Sequence, residues 1–479
     1  MQFLNPEVDT QKELTFADLF IVQQYSDISS RRSINLTPNT PLSTTLPIIS
    51  ANMNSVTGKR MSETLARYGG MWVLPQDMSL DKMLEIINFI HNADTKFDTA
   101  LTLKKEAKIR EAQWIIWKRA HDSVIITDEN NLPVWIITSW DMKDKDQYTT
   151  LWGIIQSKKL ITSDTEVSYE KAYQMMDAAN ISSLPIIGKD GKLKWMLTKK
   201  DAVRGGMYTP SLNKERKLNV SVALWINGYK DKIDALLDAW IDTIVLDTAH
   251  WLQKSMIDSI SHVRNIVWSD IQIIAGNICT ADGAKRLLEA GANGVKVWIW
   301  PWAMCTTRMQ TGVWRPQFSA VKECSDVAHK LWWYVWADGW IKEPRDLALA
   351  IAAGASHAMI GSILAWTYES TWDIKEDGNG KYKESHGMAS SKAVLNRNGD
   401  LSPIEQARRD MYNEGISTSR VYMKPGRSSV WDLLDDFTTW LRSTMSYTWA
   451  SSIEDYQDDV IVWVQSNAWY AEGKPHKTL

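Results

Sequence analysis

The chain has 479 residues, 44% apolar and 23% charged, with a net charge of −3. That is ordinary globular composition, long enough for two or more domains around a large core. The near-neutral balance argues against a polyanion-binding surface, and no apolar run is long enough to span a bilayer. The N-terminus, MQFLNPEVDT, lacks the basic, apolar and small-residue regions of a secretory signal. Three cysteines, Cys279, Cys305 and Cys324, form an odd and sparse set. They suit a reducing cytoplasm rather than a disulfide framework.

Residues 1–94 hold apolar runs with turn signals, including LPIISANMNSV (46–56) and YGGMWVLPQDM (68–78). Residues 95–208 contain an internal repeat. One copy reads HDSVIITDENNLPVWIITSWDM (121–142) and the other ISSLPIIGKDGKLKWMLTKKDAV (181–203). Each predicts a strand, an Asn/Gly turn, a second strand and a Thr-x-x-Asp helix start at Asp141 or Asp201. A helical run precedes each copy. Residues 210–450 alternate β-rich runs, such as DTIVLDTAH (242–250), IQIIAGNI (271–278) and NGVKVWI (293–299), with helical segments such as TADGAKRLLEAGA. This alternation predicts parallel βα units, in number closer to a closed (β/α)8 barrel than to an open sheet. The chain is therefore expected to be α/β, with 1–94 and 209–479 forming one barrel around an inserted pair at 95–208.

The chemistry of the residues points to the loop after NGVKVWI. A cysteine there, Cys305, would sit at the C-terminal face of a barrel, where catalytic groups gather. Thr306, Thr307 and Arg308 follow it, supplying hydroxyls and a positive charge that favours thiolate. Cys279 and Cys324 have apolar or helical surroundings and read as structural. ADGW (337–340) and MIGS (359–362) each end a β run before a helix, a position where backbone N–H groups hold phosphate.

Many motifs in this order resemble the IMP dehydrogenase / GMP reductase family over nearly the whole chain. They are ANMNSV (51–56), DTAH (247–250), AGNICT (275–280), AMCTTRMQTGV (303–313), ADGWIKEPRDLALAIAAGA (337–355), MIGS (359–362), HGMAS (386–390), EGI (414–416) and LRSTMSYTWA (441–450). The repeat in 95–208 resembles a tandem CBS pair. The resemblance implies that Cys305 attacks C2 of the purine, with Thr307 assisting at the leaving group. Met53, Asp338, Gly339, Gly361, Ser362, Gly387, Met388 and Glu414 would bind the nucleotide. Within that set, Asp338 would take the ribose hydroxyls, Gly339, Gly361 and Ser362 the phosphate, and Glu414 the purine edge. Asp247 and Asn277 would lie near a nicotinamide. A potassium ion would sit on backbone carbonyls of Trp300, Trp302 and Cys305. Ala303 stands where the family has a phosphate-binding serine. The resemblance further implies a homotetramer or octamer, and adenine or guanine nucleotides at the CBS pair.

Two features remain. There are 26 Trp and only 24 Gly, and Trp stands at many family glycine positions: Trp135, Trp195, Trp298, Trp300, Trp302, Trp314, Trp340, Trp366 and Trp449. A UGA codon that some lineages read as glycine and others as tryptophan would produce this pattern. The reaction direction is the other feature. The run TRMQTGVWRPQFSAV resembles reductases, and 388–415 lacks the adjacent Arg–Tyr pair of a dehydrogenase flap. A reductase would convert GMP and NADPH to IMP, ammonia and NADP. Against it stand the CBS-like insertion and Ser391, where short reductases carry a glutamate. Glu384 is then a nearby acid in sequence. The alternatives are an NAD-dependent IMP dehydrogenase and an inactive nucleotide-sensing protein.

Overall fold

The computed structural model describes residues 1–6, 12–155, 160–226, 228–248, 253–298, 311–385, 404, 419–424 and 427–473. Two compact units emerge: residues 1–90 with 211–479, and residues 91–210.

The larger unit is built on eight parallel strands. In chain order they are β1 (Ile48–Ser50), β2 (Met71–Trp72), β3 (Ser221–Leu224), β4 (Thr243–Asp247), β5 (Gln272–Ile278), β6 (Gly294–Val297), β7 (Tyr334–Asp338) and β8 (His357–Ile360). β1 pairs with β2, each of β3 to β7 pairs with its successor, and β8 pairs back to β1. The ring closes between β2 and β3: Leu74 N–H donates to the Ser221 carbonyl at 3.0 Å, and Ala223 N–H donates to the Leu74 carbonyl at 2.9 Å. The architecture is a (β/α)8 barrel. Strands such as β4 (TIVLD) and β6 (GVKV) read as nearly unbroken apolar runs because both their faces are covered.

Helices follow the strands: α1 (Lys59–Arg67) after β1, α2 (Leu80–Asn92) after β2, α3 (Lys230–Asp238) after β3 and α4 (Lys254–Ile266) after β4. Then come α5 (Ala281–Glu289), α6 (Gln317–Lys330) and α7 (Pro344–Ala352) after β5, β6 and β7. Local sequence sets their ends. The Thr280 hydroxyl accepts the Gly283 N–H to start α5, and Glu343 forms a capping box ahead of Pro344 to start α7. Glycines at positive φ (Gly69, Gly291, Gly354) end α1, α5 and α7. A long helix, α8 (Val430–Tyr447), packs on α7. No helix among the described residues is long and apolar enough to cross a membrane.

The smaller unit repeats one plan twice. In each copy a short strand pairs parallel with the first arm of a hairpin: Thr102–Lys104 with Ser123–Thr127, then Ser163–Asp164 with Ser183–Ile187. The two hairpin turns place Asn131 and Gly191 at positive φ, as the turn residues in the sequence predict. The helix starts differ between copies. Thr198 caps Lys199–Arg204, with Asp201 N–H donating to its hydroxyl at 3.1 Å. In the first copy, Asp141 still accepts from the Thr138 N–H and hydroxyl at 2.8 Å each, but turns follow instead of a helix. Asp144 at φ 58° breaks the helical path there.

His357, in β8, is fully buried between the Thr44 hydroxyl (2.7 Å) and the Ser356 hydroxyl (2.9 Å). Burial pushes its imidazole down from 6.5 to about 3. Below pH 6.5 the unfolded chain therefore takes up a proton that the native state refuses until about pH 3. Native stability falls as pH drops through that window, by up to about 1.4 kcal/mol per pH unit from this residue. Chemical denaturation of His357→Gln between pH 6 and 4 is expected to show a shallower acid loss. A slope equal to the parent's would mean His357 titrates normally.

Candidate active site

The C-terminal ends of the strands bring together a connected polar network. Asp247 ends β4, Asn277 lies one residue before the end of β5, Lys296 one before the end of β6, and Asp338 ends β7. The Lys296 ammonium donates to Asp338 Oδ2 at 2.7 Å and lies 3.4 Å from Asp247 Oδ2. Asn277 Nδ2 donates to Asp338 Oδ2 at 3.4 Å. From the loop after β1, Asn52 Nδ2 donates to Asp247 Oδ2 at 2.6 Å. Gln317, at the start of α6, donates to the Val297 carbonyl (2.8 Å) and the Asp338 carbonyl (3.1 Å) and ties β6 to β7.

Lys296 is 1% exposed. Burial alone would lower its pKa, but the Asp247 and Asp338 carboxylates outweigh that cost, and the net shift is upward. Burial pushes the Asp338 carboxyl up while Lys296 pulls it back. At a contact of 2.7 Å the ionised pair is the arrangement that satisfies both groups. One buried cation thus holds two carboxylates at the mouth of the barrel. The backbone is shaped to admit it: a Cβ on Gly276 would lie 2.3 Å from Lys296 Cβ and 2.7 Å from its carbonyl oxygen. Gly276→Ala is expected to destabilise by about 1–3 kcal/mol through overpacking, read as a lower denaturation midpoint. An unshifted midpoint would contradict this close approach.

Gly339 and Gly361 follow directly on the neighbouring strands β7 and β8, with Gly339 at φ 79° and its N–H donating to the Met359 carbonyl at 3.2 Å. Ser362 opens a four-residue helical turn after Gly361. Met53 is buried in a tight turn after β1, where its carbonyl accepts from the Val56 and Thr57 N–H groups. The structure thus brings Asp247, Asn277 and Asp338 into one network. It sets Gly339, Gly361, Ser362 and Met53 on the same end of the adjacent strands β7, β8 and β1. Cys305, Thr307, Trp300, Trp302, Gly387, Met388 and Glu414 lie outside the described residues. Burial raises the thiols of Cys279 and Cys324, so neither is a ready nucleophile. Glu384 is ion-paired with Lys375 at 2.7 Å.

Sequence reasoning missed Lys296, Asn52 and Gln317. A lysine inside the apolar run NGVKVWI was the available signal. A strand covered on both faces cannot send a charge to solvent, so the lysine needs a buried carboxylate.

The family model for the IMP dehydrogenase / GMP reductase domain matches residues 13–476. The chain belongs to that family. It is 40% identical over 465 residues to a GMP reductase of Mycobacterium bovis, covering 97% of this chain and 96% of that protein. It is 29% identical to an inosine-5′-monophosphate dehydrogenase of Nitrosopumilus maritimus, covering 98% and 100%. A crystal structure of a cysteine-to-alanine variant of GMP reductase from Trypanosoma brucei, in complex with guanosine 5′-monophosphate, superposes with a TM-score of 0.69. That match has 27% identity and covers 99% of this chain and 100% of the other.

Proposed function

We propose that the chain is a GMP reductase, converting GMP, NADPH and protons to IMP, NADP and ammonium. The observation that carries this direction is the gap between 40% identity to a GMP reductase and 29% to an IMP dehydrogenase, each over nearly the full length.

In this reading the Cys305 thiolate adds to C2 of the purine, the C2–N bond breaks, and the exocyclic nitrogen leaves as ammonia after gaining a proton, with Thr307 at the leaving group. A reduced nicotinamide dinucleotide, when bound, supplies the hydride for C2. The C2–S bond then breaks and returns Cys305 as thiolate. Asp338, held by Lys296 and Asn277, accepts from the ribose hydroxyls. Gly339, Gly361 and Ser362 take the phosphate, Met53, Gly387 and Met388 flank the nucleotide, and Glu414 reads the purine edge.

The network suits a nicotinamide carboxamide. The Oδ1 of Asn277 is buried without a hydrogen-bond partner among the described residues, an acceptor available to an amide N–H. Asp247, fixed by Asn52 and Lys296, is a second acceptor at the same rim. NADPH rather than NADH, a potassium ion on the carbonyls of Trp300, Trp302 and Cys305, a cytoplasmic location and a tetramer or octamer complete the reading. Residues 95–208 serve as a CBS pair that takes adenine or guanine nucleotides. The two similarly folded copies support that assignment.

The test is a steady-state assay of purified protein with each substrate pair. NADPH oxidation that requires GMP is expected. NADH formation from IMP and NAD instead would replace this reading with a dehydrogenase. Nucleotide binding with neither turnover would leave a sensing protein.

A further inference from the structure

Among the described residues, eight that are not glycine have a positive φ, and four of them are tryptophan: Trp240 (57°), Trp332 (63°), Trp340 (62°) and Trp449 (56°). Three of the others are Asn or Asp, whose short polar side chains tolerate this region, and the last is Arg216. A bulky side chain does not favour left-handed backbone.

Three of these tryptophans occupy one structural position. Trp240, Trp332 and Trp449 stand immediately after the capping residues of α3, α6 and α8. Gly69, Gly291 and Gly354 stand at the same place after α1, α5 and α7, also at positive φ. At Trp332 and Trp449 the closing hydrogen bond is the same as well. Trp333 N–H donates to the Ala328 carbonyl (2.9 Å) and Ala450 N–H to Met445 (2.9 Å). In the glycine-ended helices, Gly70 N–H donates to Leu65 (3.0 Å) and Ala355 N–H to Ala350 (3.1 Å). This is the helix-ending turn that glycine serves.

The indoles at the helix ends lie at the surface, where little burial offsets the strain. Trp332 is 94% exposed, and Trp240 and Trp449 are each 57% exposed. The Trp449 indole donates to Asp27 Oδ1 at 2.7 Å, Trp240 tilts against Trp268 with ring centroids 5.8 Å apart, and the Lys342 ammonium lies 4.6 Å from the Trp340 ring centre. Trp340 follows Gly339 at the end of β7, and Trp298 crowds the same spot from β6. A Cβ on Gly339 would sit 2.8 Å from Trp298 Nε1.

We infer that positions 240, 332, 340 and 449 are glycine in the protein as its source organism makes it, through a UGA codon read there as glycine. Trp298, whose indole lies over Gly339, belongs to the same set. The backbone alone carries the first four positions, whichever reaction the barrel runs. Trp240 and Trp332 extend the set beyond the positions that the family resemblance picks out. Glycine at 298 and 340 also removes two indoles from beside Gly339, at the strand ends where the substrate phosphate is proposed to bind.

The decisive peptide is the tryptic fragment 331–342, LWWYVWADGWIK, from protein isolated from the source organism. Fragment ions are expected to place glycine at 332 and 340. Trp336, extended and buried in β7, carries no such requirement. Tryptophan at both 332 and 340 would overturn the inference. A second measurement needs no source organism. In the recombinant chain, Trp332→Gly is expected to raise the thermal midpoint by about 2 °C and to exceed Trp332→Ala, since alanine keeps the Cβ. A midpoint for Trp332→Gly at or below that of Trp332→Ala would show that residue 332 does not require glycine.

Discussion

Lys296→Met is expected to destabilise the barrel by about 3–5 kcal/mol, because it leaves two carboxylates buried without their cation. The ammonium, 1% exposed, lies 2.7 Å from Asp338 and 3.4 Å from Asp247, whose side chains are themselves only 11% and 16% exposed. The methionine variant has one further signature. With the lysine gone, burial pushes the Asp338 carboxyl up against only the hydrogen bond from Asn277, so the folded state binds a proton more readily than the unfolded chain. Relative to the parent, which shares the loss from His357, the variant should therefore gain stability as pH is lowered from 7 toward 5. A chain whose buried His357 refuses protons loses stability over the lower part of that window. Denaturant midpoints across this range measure both effects. GMP affinity should fall on the order of 10–100-fold, as when other outer-shell partners are removed. A variant with parental stability and affinity would show that the lysine is not what holds the two carboxylates.

Cys305→Ala is expected to lower turnover by on the order of 10³-fold or more, since it removes the atom to which the purine is transferred. GMP binding should persist, because the contacts assigned to Asp338, Gly339, Gly361 and Ser362 do not involve sulfur. Mass measurement of protein quenched during turnover should find a purine nucleotide on the peptide carrying Cys305 in the parent and none in the variant. Substantial turnover by the alanine variant would exclude the covalent route.

The barrel was legible because its strands are apolar runs of regular spacing separated by helical patterns. Closure could be anticipated only from the number of units, since the bond between Leu74 and Ser221 that completes the ring joins residues far apart in sequence. Asp247, Asn277 and Asp338 were legible only through the family resemblance of DTAH, AGNICT and ADGW. Lys296 and Asn52 were hidden inside quoted motifs. Their importance comes from partners on other strands, which no local pattern reveals. The first repeat also departs from its sequence pattern: Thr138 and Asp141 make the expected contacts, yet Asp144 at φ 58° replaces the helix with turns. The tryptophans invert the usual relation. Their excess was plain in the composition, but the backbone angle was needed to see that Trp332 and Trp240 stand in glycine's place.

The most direct test of the central claim is a single-turnover experiment on the protein carrying glycine at the inferred positions. GMP and NADPH are mixed with it, IMP, ammonium and oxidised dinucleotide are quantified together, and a parallel reaction is started from IMP and NAD. A GMP reductase gives the three products in equal amounts, with none formed when GMP is omitted. XMP and reduced dinucleotide from IMP, with no ammonium from GMP, would contradict the account.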